Sequence, residues 1–350
     1  MSRNRLIDLY SDTATRPSAD MRKAMAEAEV GDEQRREDPT TRALEEKVAG
    51  LLGKEAALFL PSGTMCNQIA VAVHCRSGDE IIGPDNCHLF TYEGAGGAAI
   101  AGAQNRTVPH VNGIFDAAAV EAAYRQPPSL HHPRSRLVAV EQTMNLGGGA
   151  VWPLAGLQGV AAAARKLGLI VHMDGARLPN AIVASGVDGR TMTAMCDSVW
   201  LDLSKGLGCP IGGVLAGSRD FIDEAWRWKH RLGGAMRQSG IVAAAGLYAL
   251  EHNWARLAED HANARRLAEI LGQVKGVRIV NPAVETNLVF LDMTGTGRSA
   301  LDVAAGLVAR GVRIGASTPT GMRAVTHLDV SRDEIEVAGR VFAEVVAGRS

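Results

Sequence analysis

The segment Leu169–Pro210 constrains the fold of this chain more than any other. It holds two short apolar runs, Leu169–Met173 and Val199–Leu203, with the length and composition of strands. Each run ends abruptly in a polar, Gly-containing turn. The first delivers Asp174 and Arg177, the second Ser204 and Lys205. Ligands in open α/β sheets sit outside the carboxyl ends of the strands. An acid and a lysine therefore approach one crevice from two strand ends. A lysine so placed is a candidate amine nucleophile that forms a Schiff base. The aspartate is a candidate partner for a pyridinium nitrogen, which turns the ring into an electron sink. Taken singly, Asp174 reads better as a turn residue and Lys205 as a solvated loop lysine. Their pairing across two strand ends carries the reading.

A length of 350 residues suggests roughly two domains and leaves ample chain for a core. The net charge is −1, so nothing in the overall balance points to nucleic acid or an anionic membrane. Cys66, Cys75, Cys87, Cys196 and Cys209 form no close CxxC pair. Reduced, buried thiols in a cytoplasmic protein fit this pattern better than a disulfide framework or a zinc site. The start, MSRNRLIDLY, has no apolar core of a signal peptide, and no apolar run reaches the ~20 residues of a membrane span.

Residues 1–40 read as an entry arm. In it Ser18 caps a helix that carries Met21, Met25 and Ala28 on one face and ends at Gly31. Thr40 is the expected cap of the next helix, whose apolar stripe is Leu44, Val48, Leu51 and Leu52, with Gly53 as its stop. From Ala56 strands and helices alternate. AALFL leads through PSGTMCNQ into a helix, and Gly63 and Thr64 lie in that turn, where free N–H groups and a helix dipole can receive an anion. Short strands follow at 80–82, 106–108 and 136–140, the last ending at Glu141, and helices are expected over 88–101 and 154–167. Repeated strand–helix–strand units predict a mostly parallel sheet covered on both faces. An added strand is expected at 212–217, then helices over 219–232 and 239–271, the second as a long spine between domains. Residues 41–250 form the expected large domain. Residues 251–350 form a small α+β domain with strands near 277–280, 287–293, 312–314 and 323–328 and a final helix capped by Ser331.

The motifs DLYSDTATRPS, VGDEQRREDPT, GKEAALFLPSGTMCNQIA, HLFTYEGAGG, HMDGARL, DLSKGLGCPIG, RLGGAMRQSGIVAAAGLYALEH and RAVTHLDVS occur in this order along essentially the whole chain. Together they resemble the low-specificity L-threonine aldolases, pyridoxal phosphate (PLP) enzymes of the aspartate aminotransferase fold class. The resemblance implies PLP fold type I: a large domain with a mostly parallel, seven-stranded sheet covered by helices, and a small C-terminal α+β domain. It also implies cleavage of L-3-hydroxy-α-amino acids, such as threonine or phenylserine, to glycine and an aldehyde by a homotetramer with shared active sites.

Residue by residue, the resemblance implies that Lys205 carries the Schiff base and Asp174 binds the pyridine nitrogen. His88 stacks on the ring and serves as a base, with Glu93 close to the cofactor. Gly63, Thr64 and Ser204 hold the phosphate, with Arg237 near the cofactor site. Ser11, Arg177 and Arg323 grip the substrate carboxylate, and His131, in HHPR, lies near the substrate hydroxyl. Two arginines suit a carboxylate because their fork geometry matches it.

The chain departs from the family pattern in two places. Arg35 and Arg36 stand where Tyr-Gly is usual, so Arg35 is either a contact for a second acidic group, as in 3-hydroxyaspartate, or part of a surface loop paired with Glu33 or Glu37. Met144 stands where many members have histidine, and it either lies near the substrate, favouring bulky β-substituents, or packs under its loop. The competing activity with the same cofactor is a β-eliminating lyase or dehydratase that yields a keto acid and ammonia. An aminotransferase, and a binding protein that has lost the cofactor, are further alternatives. A metal hydrolase has little support, since His131, His132 and His172 lack a matching ligand set.

Overall fold

Short apolar strands joined by Ala- and Gly-rich helices close into a seven-stranded sheet. The computed structural model describes residues 6–126, 129–281 and 283–348. A first short strand, β1 (Ile7–Asp8), lies in the arm. The large sheet consists of β2 (Ala56–Leu60), β3 (Asp79–Pro84), β4 (Gln104–Val108), β5 (Arg134–Glu141), β6 (Ile170–Asp174), β7 (Ser198–Asp202) and β8 (Gly213–Gly217). Their spatial order is β2-β8-β7-β6-β5-β3-β4. Only β8 runs against its neighbours, β2 and β7; the remaining pairs are parallel. Six of the strands therefore aim their carboxyl ends at one edge. Continuous apolar runs such as Val199–Leu203 belong in such a sheet because both faces are covered.

A second core gathers Leu267, Leu271, Val289, Leu291, Met322, Ile335 and Phe342. It packs around β9 (Arg278–Ile279), β10 (Leu288–Asp292), β11 (Val312–Arg313), β12 (Gly315–Ala316) and β13 (Gly321–Val325). Four of these form a sheet in the order β12-β13-β10-β9, and β11 pairs in parallel with β1. The arm is thus stitched to residues more than 300 positions away. The final helix, Arg332–Val346, begins with the expected Ser331 cap, completed by a Glu334 capping box.

Four local expectations are corrected. The first helix, capped by Ser18, stops at Ala26, short of Gly31. The second, Pro39–Leu52, is capped by the Asp38 side chain, not Thr40, and Pro39 sits at its first turn. Residues 88–101 form two short helices, His88–Thr91 and Gly96–Ala101, because Gly94 and Ala95 adopt positive φ between them. The expected spine is also two helices, Gly240–His252 and Leu257–Gly272. Asn253 in the break donates to Leu207 O at 2.8 Å, a tertiary bond that periodicity does not show. All five cysteines are buried and free. No helix of the described residues is long and apolar enough to cross a membrane.

Candidate active site

Three adjacent strands each end in a buried carboxylate: Glu141 on β5, Asp174 on β6 and Asp202 on β7. Beside them opens a cleft of about 420 Å3, lined among others by Ser11, His88, Arg177, Lys205 and Arg323. These five come from the arm, the turn after β3, the turns after β6 and β7, and β13. The strand ends bring together residues that the sequence scatters over more than 300 positions.

Lys205 Nζ lies 2.6 Å from Asp202 Oδ2. Asp202 Oδ1 accepts from both the Ser204 amide and its hydroxyl, at 2.7 and 2.9 Å. The arm secures the same turn, because Thr15 Oγ1 donates to Lys205 O at 2.9 Å.

Asp174 is held by Asn67, which no sequence pattern singles out. Asn67 Nδ2 donates to Asp174 Oδ2 at 2.7 Å and to Glu93 Oε1 at 2.6 Å. Its Oδ1 accepts from Trp200 Nε1 at 2.7 Å and pairs with His172 Nε2 at 3.0 Å. The amide orientation follows, since the indole can only donate. Behind it His172 Nδ1 and His74 Nε2 both meet Ser198 Oγ at 2.8 Å. Burial drives both rings toward neutrality, His172 down to about 3 and His74 to about 4. This is a neutral, directed chain that ends on two carboxylates, Asp174 and Glu93.

His88 Nδ1 meets Glu93 Oε1 at 2.9 Å. Burial opposes a charged His88 ring, but the Glu93 bond and the charges of Asp174, Glu93 and Glu141 outweigh it and raise its pKa. With Nδ1–H directed at Glu93, Nε2 is the free basic atom. Burial, aided by the Asp174 charge, raises Glu93 in turn. Glu93 Oε2 is buried with no hydrogen-bond partner among the described residues. Glu141 accepts from the His88 amide at 2.6 Å and the Asn145 amide at 2.7 Å, so it fixes two turns at once.

Arg177 is buried and paired side-on with Asp12: Nε to Oδ2 at 2.7 Å and Nη2 to Oδ1 at 2.8 Å. Burial alone would raise Asp12, but Arg177, helped by Lys205 and Asn287, holds it well below the ordinary carboxylate range. Arg323 Nη1 donates to Asn145 Oδ1 at 3.1 Å.

Gly63 begins the helix Gly63–His74, capped by the Ser62 hydroxyl. A Cβ on Gly63 would overlap the Trp200 ring, so only glycine allows the helix start to press onto β7. Thr64, half-buried, follows it with its amide in the first helical turn.

Four expected residues lie elsewhere within this chain. His131 is exposed and precedes β5, at the amino edge of the sheet. That strand carries it about 25 Å from Glu141, so His131 does not reach the cleft of its own chain. Arg237 is exposed and pairs with Asp32 at 3.0 Å. Arg35 is exposed outside the cleft lining. Its neighbour Arg36 pairs with Asp223 at 3.0 Å and lies 5.4 Å from the Trp226 ring centroid, not with Glu33 or Glu37. Met144 is fully buried under its loop, where its amide bonds Ala150 O, and it is not part of the cleft wall.

The sequence model of the family described as "Beta-eliminating lyase" matches residues 8–294. The chain is 42% identical over 346 residues to low-specificity L-threonine aldolase 1 of Arabidopsis thaliana, spanning 98% of this chain and 97% of that protein. It belongs to this family of lyases, among the low-specificity L-threonine aldolases. The low specificity L-threonine aldolase of Escherichia coli strain K12 is 43% identical, with 95% of this chain and 97% of that protein covered. The solved structure of a Leishmania major threonine aldolase superimposes with a TM-score of 0.84 over 97% of this chain and 99% of that one, at 19% identity. That likeness shows fold type I, the architecture expected above.

Proposed function

We propose that this lyase binds pyridoxal phosphate at the β5–β7 strand ends and cleaves L-3-hydroxy-α-amino acids such as L-threonine to glycine and an aldehyde. The observation that carries the reading is Lys205 in the cleft with the Asn67-held Asp174 at the end of the adjacent strand, bonded to the cleft-lining Ala176. The residues fit that cofactor. Asp174 is a buried carboxylate on a neutral hydrogen-bond chain, suited to hold a proton on a ring nitrogen. Lys205 supplies the amine. The helix start at Gly63–Thr64 offers backbone N–H groups on the same sheet edge for the phosphate, and Ser204 joins them once its amide or hydroxyl leaves Asp202. Arg177 and Glu93 complete the polar surround.

When bound, pyridoxal phosphate supplies a ring that accepts the electron pair of the Cα–Cβ bond. The chain supplies the rest. Arg323 and Arg177 hold the substrate carboxylate beside Ser11, which orients the Cα–Cβ bond. His88 Nε2 takes the β-hydroxyl proton, and Glu93 keeps the ring in the tautomer that allows it.

The division into an arm (1–40), a large domain (41–250) and a small domain (251–350) draws on separate apolar clusters, two centred on the large domain and one on the small, with the arm contributing Met21 to the former and Ile7 and Leu9 to the latter. The homotetramer implied by the resemblance would leave Arg237, Arg35 and His131, all exposed in this chain, to serve a neighbouring chain's cleft. A cytoplasmic location accords with the free, buried cysteines.

The test is product analysis of the PLP-loaded protein with L-threonine and L-phenylserine. Glycine and aldehyde in equal amounts, lost in Lys205→Ala together with the cofactor's visible absorption band, are expected. Keto acid and ammonia would replace the aldolase reading with β-elimination.

A further inference from the structure

The two arginines at the cleft share a single acceptor, and it is not a carboxylate. Asp12 occupies the side-on edge of Arg177, with Asn287 Nδ2 bonding the same Asp12 Oδ2 at 3.1 Å. That edge is unavailable to a ligand. The remaining Arg177 Nη1 donates to Asn145 Oδ1 at 3.4 Å, and Arg323 Nη1 donates to the same oxygen at 3.1 Å. Arg323 Nη2 is turned to Tyr10 O at 3.4 Å. Asn145 is held there from behind, by its amide on Glu141 Oε1. All three side chains line the cleft.

An oxygen between two guanidinium groups is a seat for negative charge, and a neutral amide fills it weakly. Charge-assisted bonds to a carboxylate are shorter and roughly twice as strong as neutral ones. We propose that Asn145 Oδ1 is a placeholder for one oxygen of the substrate α-carboxylate. It keeps the two guanidinium groups aimed at one point while the cleft is free, and it yields that point when an amino acid enters. The carboxylate subsite is then Arg323 together with Nη1 of Arg177. Amines without the carboxylate cannot evict Asn145, which confines the site to amino acids. This inference rests on the amino-acid lyase reading above and names how that site selects its substrate.

The experiment compares PLP-loaded wild type, Asn145→Asp and Asn145→Ala. The readouts are the Kd for glycine, from the change in the cofactor's visible spectrum, and the KM for L-threonine. Asn145→Asp places a permanent carboxylate between the guanidinium groups, so glycine Kd and KM should rise by about tenfold or more, with the loss concentrated in KM. Asn145→Ala vacates the seat, so both should fall, by roughly threefold. Opposite directions in the two variants support the placeholder; any other pattern overturns it. If Asn145→Asp does not fold, propionate inhibition of wild type and Asn145→Ala decides: a lower Ki in the variant supports the proposal, and an equal or higher Ki overturns it. Glycine binding without aldehyde release in wild type would defeat the aldolase reading alone, leaving the Kd comparison intact.

Discussion

Asn67→Ala should uncouple the cofactor site from the fold that supports it. In the native chain one amide group separates two carboxylates, whose ligand atoms lie within 4.8 Å of each other and of His88. Two like charges at that distance cost roughly 3–4 kcal/mol at an effective dielectric of about 20. Each Asn67 N–H bond to a charged oxygen is worth about 1.5–3 kcal/mol. Loss of one such bond leaves the Asp174 carboxylate less well held by about the same amount. Asp174 is then a weaker partner for a protonated ring nitrogen, and the Kd for pyridoxal phosphate should rise about 10- to 100-fold. The indole N–H of Trp200 and the His172 ring also lose their acceptor, at about 1–3 kcal/mol each in stability. The assay is titration of apoprotein with pyridoxal phosphate, followed by visible absorption, with urea denaturation in parallel. His172→Leu is the control, since it removes one support of Asn67 but keeps both carboxylate bonds. It should lower the urea midpoint while weakening the cofactor far less. A folded Asn67→Ala protein that binds the cofactor within about threefold of wild type refutes the reasoning.

Glu93→Gln removes the charged hydrogen-bond partner that raises His88, so the His88 pKa should fall and the acid limb of the kcat/KM profile should move to lower pH; an unmoved limb, or one moved upward, contradicts the base role. Asp260, on the helix Leu257–Gly272, is pushed by burial up to about 7 despite its 3.3 Å contact with Arg256. It binds its proton more tightly folded than unfolded, so it lowers stability progressively from about pH 4 to pH 7 and fully above. Asp260→Asn should therefore add about 2–4 kcal/mol at pH 8 and little near pH 4; urea midpoints that rise equally at both pH values would refute this. Met144→Ala should cost about 2–4 kcal/mol as a core truncation while the ratio of kcat/KM for L-threonine to that for L-phenylserine stays constant. A changed ratio without lost stability would put Met144 back at the substrate.

Much of the scaffold was legible because it is local. Strand composition and abrupt polar turns placed Asp174 and Lys205 at strand ends, and Ser18, Gly53 and Ser331 marked helix boundaries correctly. What escaped is tertiary. Asp12 sits inside a quoted motif, but its partner Arg177 lies 165 positions on. Asn67 reads as one polar residue on a helix, and only the closed sheet turns it toward two carboxylates. Glu141 and Asp202 end apolar runs as any turn acid does, until their amide and lysine partners arrive. The overlong helix over 239–271 failed for the same reason: a side-chain bond to Leu207 ends it, where the apolar period alone continues. Asp38 displaced Thr40 as cap because its carboxylate also binds the amides of Gly31 and Gly240.

The arm has a bearing on biosynthesis. Asp8 and Leu9 leave the ribosome more than 300 residues ahead of the partners of their backbone groups, Arg313, Val325 and the His327 ring. At about 5–20 residues per second, the interval is roughly 15–60 s. Over roughly the last third of it the nascent chain already carries Lys205 and Asp174, but Asp12 has no docked arm to bring it to Arg177. A reactive lysine is thus made early and its surroundings are closed late. Any fragment that ends before β13 would carry the Lys205–Asp202 pair without Arg323, and Arg177 without a docked Asp12, a signature that distinguishes an unfinished chain from a finished one.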